Sequence, residues 1–191
     1  MSDKISIIMP VLDNAEQLAM ALAALQPLRA RGHEVIVADG GSRDGSITVA
    51  RRQADRLVVS GAGRALQMNS GAGYAQHEIL LFLHVDTELP EQADKLVSEA
   101  LRPGGSLWGY FDLCHPGGVL LFRLLDAVRN WHCALTGTAS GKQAIFVTRS
   151  FFERVGGYDD LQRLEGLALS RKLRSHVWPC RIKTPVLRAN G

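Results

Sequence analysis

The first ninety residues alternate between two hydrophobic periods, and that alternation restricts the fold more than any other feature. KISIIMP is a short β-branched run. It is followed by NAEQLAMALAALQPLRARG, whose alanines and leucines predict a helix with Asn14 at its N-cap and Gly32 beyond its end. HEVIVAD predicts the next strand, and SRDGSITVARRQA a second helix opened by Ser42. DRLVVS, GRALQMNSGAGYAQ and EILLFLH then repeat strand, helix and strand. Strands apolar along their whole length, separated by helices, predict an α/β fold with a mostly parallel central sheet and helices on both faces. Right-handed crossovers gather the C-terminal strand ends along one edge, where open sheets place their chemistry.

After Pro90 the pattern loosens. EQADKLVSEALRPGG predicts a helix, SLWGYFDLC a strand, residues 117–135 a helix, KQAIFVTRS a strand and LEGLALSRKLRS a last helix. A chain of 191 residues is enough for one domain with a real core. The most apolar segment, GGVLLFRLLDAVRNWHCALTG, is interrupted by Arg123, Asp126 and Arg129 at spacings of three, which makes it amphipathic and not membrane-spanning. Its helix can cap its own domain, lie on a membrane or meet a twin subunit.

Charge excludes little except bulk nucleic-acid binding, since 22 Lys and Arg against 19 Asp and Glu leave only +3. Arg171, Lys172, Arg174, Arg181, Lys183 and Arg188 cluster late in the chain, as a solvated helix-ending face or an anion or lipid-headgroup site. Cys114, Cys133 and Cys180 are odd in number and without CxxC spacing, which fits small core residues in a reducing compartment. The N-terminal apolar run is too short for a signal peptide, so a cytoplasmic, at most membrane-peripheral, location is expected. His115, His132 and His176 have no ligand spacing, and His132 beside Trp131 reads as a packed side chain.

The chemistry-bearing residues sit where strands end. PVLDN carries Asp13, VIVADGGSRDGS carries Asp39 and Asp44, and LFLHVDTELP carries His84 and Asp86. Side chains two apart on an extended chain share a face, so His84 and Asp86 are expected to stand together. A carboxylate followed by glycines and a helix start can accept bonds from a base or ribose while the helix N-terminus favours phosphate. The same residues also serve as ordinary turn and cap residues. GAGRAL and GAGYAQ begin GxG, but each lacks the third glycine and neither follows the first strand, which argues against a dinucleotide fingerprint.

SIIMPVLDN, VIVADGGSRDGS, GRALQMNSGAGYAQHEILLFLHVDTELP, KQAIFVTRSFFERVGGYD and RLEGLALSRKL together resemble a family 2 glycosyltransferase, in order and over nearly the whole chain. More narrowly they resemble the bacterial branch called radical-SAM/selenodomain-associated transferase 2. The resemblance implies a GT-A fold and transfer, with inversion, of a sugar from a nucleoside-diphosphate donor. It implies a single domain, residues 1–90 forming the nucleotide-binding half and 91–191 the acceptor side. Asp39 matches the acid that contacts the base, and Asp86 the last acid of a DxD-type motif that holds Mg or Mn, with His84 in place of the first acid. Pro10, Asp13, Ser42, Arg64 and Asn69 are expected on the donor, and Lys142 and Gln143 beside it.

Two positions depart from the resembled pattern. Its catalytic base is the Asp of an ED pair; here Glu165 is followed by Gly166. The branch carries an acid where this chain has Lys142. Glu165 is therefore the expected base, with Asp159 or Asp160 as alternatives, or the chain binds a nucleotide sugar without transferring it. An ammonium at Lys142 near the diphosphate would make the metal dispensable. The sequence stops at TPVLRANG, where the resembled family is expected to continue into further acceptor-binding helices, so the acceptor side is expected to be short or supplied by a partner, a homodimer being one remedy.

Overall fold

A computed structural model describes residues 3–102, 104–115, 120–160 and 164–188. In chain order these form β1 (Ile5–Val11), α1 (Ala15–Ala30), β2 (Glu34–Asp39), α2 (Ser46–Gln53), β3 (Arg56–Val59), α3 (Arg64–Gly73), β4 (Ile79–Phe82) and β5 (Thr87–Glu88). There follow α4 (Ala93–Ala100), β6 (Trp108–Cys114), α5 (Leu120–Thr136), β7 (Phe146–Thr148), α6 (Arg149–Arg154), α7 (Glu165–Arg174) and β8 (Cys180–Arg188). The strands make one sheet in the order β3-β2-β1-β4-β7-β6-β8-β5. β3, β2, β1 and β4 run parallel, as the early alternation predicts. β7 then pairs antiparallel with both β4 and β6, β8 runs parallel to β6, and β5 closes the far edge antiparallel to β8.

The period-two pattern of β1 divides the core. Ile5, Ile7, Met9 and Val11 pack with Leu18, Leu22, Leu25 and Leu28 of α1 on one face. Ile8, Ile36 and Leu80 pack with Ala65, Met68 and Ala72 of α3 on the other. Each fully buried leucine contributes about 1.5–3 kcal/mol. A glycine within α3 has a packing reason: a Cβ on Gly71 would reach within 2.5 Å of Ile8 Cγ2, so its absence lets α3 settle against β1.

Several local expectations are corrected. Asn14 makes no capping hydrogen bond; the Asp44 carboxylate instead accepts from the Ala15 N–H at 2.9 Å and from Ser46 N–H at 2.8 Å. α2 therefore begins at Ser46, and Ser42 does not open it. KQAIFVTRS is not one strand, because Gly141–Gln143 form a 3-10 turn before the short β7. Among the cysteines, Cys133 is buried whereas Cys114 and Cys180 are only partly so; all three are free thiols.

α5 departs furthest from its reading; residues 117–119 and the Arg123 side chain lie outside the described residues. Asp126 is buried and accepts from the His115 N–H at 2.9 Å while pairing with its ring. Asn130 bonds both the N–H and the C=O of Leu113. Polar side chains thus face β6, whose irregular end supplies backbone groups needing partners, while Leu124, Leu125, Val128, Trp131 and Leu135 are exposed. His132 is exposed too, not packed. Among the described residues no helix is long and apolar enough to cross a membrane.

A cation-lined cleft as the candidate active site

Beyond Phe82 the chain leaves the sheet, and the Thr87 N–H donates to the His84 carbonyl at 3.0 Å to close a turn. His84 and Asp86 do meet, with Nδ1 2.6 Å from Oδ1, but the turn brings them together and not strand alternation. The Thr87 hydroxyl donates to the same oxygen at 3.1 Å. The other oxygen, Oδ2, accepts from Lys142 Nζ at 3.2 Å and has Arg188 Nε at 3.5 Å. Burial alone would raise the Asp86 carboxyl; the hydrogen bond and charge of His84, then those of Lys142, outweigh it and hold it well below the usual carboxylate range.

Lys142 owes its place to the 3-10 turn. Gln143 is fully buried beneath it, its Oε1 accepting from Ser140 N–H at 2.9 Å and its Nε2 donating to Phe111 O at 3.4 Å. Leu164, left-handed at φ 63°, turns the chain into α7. Glu165 follows, buried, with Oε1 3.6 Å from Arg64 Nη1. At Gly166 a Cβ would fall on the backbone N and Cα of Gly141 and lie 3.1 Å from the Ser140 carbonyl carbon. One departure from the resembled pattern, Gly166, therefore packs on the main chain immediately before the other, Lys142.

A cleft of two lobes opens over these groups. One lobe, about 390 Å³, is lined by Arg64, His84, Arg129, Lys142, Glu165 and Arg188. The other, about 340 Å³, is lined by Pro10, Leu12, Gly63, Gln67 and Val85 and shares Arg64 and His84 with the first. Val11, another wall of the second lobe, is the register partner of Asp39. Asp39 is fully buried; its Oδ1 accepts from the Gly41 and Ser42 N–H groups, each at 2.8 Å, and its Oδ2 has no partner among the described residues. Gln67 Nε2 ties α3 to the strand tips by donating to Val11 O at 2.6 Å and Ala38 O at 2.9 Å.

The structure brings together Pro10, Arg64, His84, Asp86, Lys142 and Glu165, with Asp39 just behind. Asp13 and Ser42 stitch two loops: Asp13 Oδ1 accepts from Arg43 N–H at 2.6 Å, and Ser42 Oγ from Asp13 N–H at 2.9 Å. Asn69 is placed elsewhere, because its amide is spent on the Tyr158 backbone at 2.8 and 2.9 Å and it lines a separate hollow with Gly156. Gln143 supports the cleft from below and does not line it. Asp159 is exposed and held by Lys172 at 2.5 Å, away from Glu165, while Asp160 is exposed beside it. The late basic cluster is no single patch: Arg181 pairs with Asp112 at 2.7 Å, Arg174 lies over Trp178, and Arg188 alone of the six lines the cleft. Arg129 is a cationic lining residue that sequence reasoning missed, while Arg188 was offered only as one of a late basic cluster that could take an anion; no local motif marks either.

A divalent cation fits these residues poorly. At a diphosphate Mg or Mn needs only one or two carboxylates, phosphate oxygens and waters completing its shell, so the fit turns on Asp86, the carboxylate that the resemblance gives to the metal. Both Asp86 oxygens already face cationic or donor groups. A dication 4 Å from Lys142 would meet repulsion on the order of 4 kcal/mol per unit of its charge.

Fold and cleft together define a GT-A type α/β protein, its site at the C-terminal tips of the parallel strands. Residues 6–120 match the sequence profile of glycosyl transferase family 2, and the chain belongs to that family. Among solved structures it is similar to a mannosyltransferase from Pyrobaculum calidifontis in complex with GDP-Man and Mn2+, at TM-score 0.74 and 18% identity over 99% of this chain and 57% of that one. It is similar also to TarS 1-349 of S. aureus in complex with UDP-GlcNAc, at TM-score 0.74 and 15% identity over 98% of this chain and 59% of the other. A third is glucosyl-3-phosphoglycerate synthase from Mycobacterium tuberculosis in complex with Mn2+, UDP and glucosyl-3-phosphoglycerate, at TM-score 0.69 and 17% identity over 99% and 73%. The chain thus spans less than two thirds of the first two. No curated protein sequence matches it.

Proposed function

We propose that this chain binds a nucleoside-diphosphate sugar across the two lobes and transfers the sugar, with inversion, to an acceptor hydroxyl. The carrying observation is that four cations and a buried carboxylate, Glu165, share one lobe, while Val11 in the wall of the other is the register partner of Asp39, whose Oδ2 is buried and unpartnered among the described residues. In this reading the base and ribose occupy the second lobe, where Asp39 Oδ2 accepts an N–H or O–H. The diphosphate lies at the junction, among Arg64, Lys142 and Arg188. The acceptor oxygen attacks the anomeric carbon from the side opposite the diphosphate, forming one C–O bond as the other breaks. Its proton passes to Glu165 and the bonding electrons to the departing phosphate oxygen, whose added charge the cations stabilise. Arg64, 3.6 Å from Glu165, orients that carboxylate.

A second reading, binding without transfer, is favoured by Gly166, where no acid stands and no side chain fits. One experiment separates the two. UDP-, GDP- and dTDP-sugars are screened by thermal shift, since a specific donor raises Tm by mass action; the binder is then incubated and free nucleoside diphosphate measured. Transfer predicts slow release to water that Glu165→Gln removes. A Tm rise with no release favours the second reading, and no Tm rise with any donor defeats both.

A further inference from the structure

We propose that the cations of the larger lobe, with Lys142 and Arg188 at their centre, hold the diphosphate directly, so that the chain binds its nucleotide without a divalent metal. This rests on the donor reading above and specifies how the diphosphate is held. Asp86 is then a positioning residue. Its Oδ2 fixes the Lys142 ammonium at 3.2 Å and the Arg188 guanidinium at 3.5 Å, while Oδ1 is held by His84 at 2.6 Å. The lobe's charges agree with this assignment. Arg64, Arg129, Lys142 and Arg188 face it, against Glu165 in its wall and Asp86 at its edge. With His84 left out of the count two positive charges remain, the number of negative charges on a diphosphate esterified at both ends, as in a nucleotide sugar. A dication added to this set would leave the lobe overcharged. Arginine supplies planar forked donors and lysine a compact ammonium, the two forms in which proteins bind phosphate oxygens directly. Lys142 and Arg188 keep about a third of their side-chain surface exposed, so both remain open to an arriving ligand (34% and 40%).

The test is a calorimetric titration of UDP, GDP and dTDP into the wild-type chain, once in excess EDTA and once in Mn2+. The expected result is one nucleotide whose Kd agrees within about twofold between the two conditions, as charge-assisted bonds to protein alone require. Lys142→Gln should weaken it about tenfold or more in both, the usual loss for a bond between charged groups. Arg188→Gln provides the same reading should Lys142→Gln fail to fold, which its Tm reports. Binding at least tenfold tighter in Mn2+ than in EDTA overturns the inference and leaves the donor reading standing. Wild-type affinity in both variants overturns it as well. If none of the three nucleotides binds under either condition, the donor reading falls and this inference with it.

Discussion

Asp39 ends β2 and Asp86 lies beyond β4, the two strands that flank β1, yet their surroundings differ in kind. Asp39 is sealed in, bonded by two backbone N–H groups on one oxygen and by nothing described on the other. Asp86 is partly open and has a histidine on one oxygen, a lysine and an arginine on the other. A carboxylate whose oxygens are both neutralised is complete and acts by holding its neighbours in place. A buried one with a free oxygen carries a cost of about 1–3 kcal/mol that only an incoming donor relieves. The same residue type at equivalent tips is thus an organiser in one case and an unfinished contact in the other.

Three substitutions bear on that contrast. The largest effect is expected from Asp39→Asn, which keeps an acceptor for Gly41 and Ser42 but puts a donor where the free oxygen was. Nucleotide affinity should fall about 10- to 100-fold by calorimetry while Tm changes little. Asp44→Ala is the structural control: it removes the carboxylate that caps α1 and α2, so Tm should fall by a few degrees with nucleotide affinity unchanged. The smallest effect is expected from Asp86→Asn. It loosens the hold on Lys142 and Arg188 but also removes an anion from a cationic lobe, so the two effects offset and diphosphate affinity should change by less than about fivefold in either direction, the scale of a partly exposed ion pair. A metal ligand would instead lose binding outright.

Acid titration sharpens the comparison. The folded-state pKa of Asp86 lies below its unfolded value, so its pairing adds stability that is fully present above the ordinary carboxylate pKa. That stability is lost as pH falls from about 4 through the depressed folded value. The Tm gap between wild type and Asp86→Asn should therefore be widest near neutrality and narrow in acid.

The parallel half of the sheet was legible because each strand and helix there carries its own period, and β1 pairs with β2 and β4 in the order the alternation implies. The second half was less so. β5 has two residues, β7 three and α6 six, too short to show a period. α5 was misjudged because Asp126 and Asn130, polar in sequence, satisfy the end of β6. At the site, His84, Asp86, Lys142 and Glu165 stood in recognisable stretches. Arg129 did not, and Arg188 was marked only as one of a late basic cluster: their place depends on how α5 and β8 settle against the β4 tip, which no local pattern encodes.

The close main-chain approach of Gly166 to Gly141 limits what position 166 can hold. A side chain returned to position 166 meets backbone atoms, which cannot rotate aside as a flexible neighbour would. No single substitution places an acid at 166 while the Ser140–Gly141 backbone keeps its course. The start of α7 and the turn that carries Lys142 are thereby locked to one another, and redesign of either must move both.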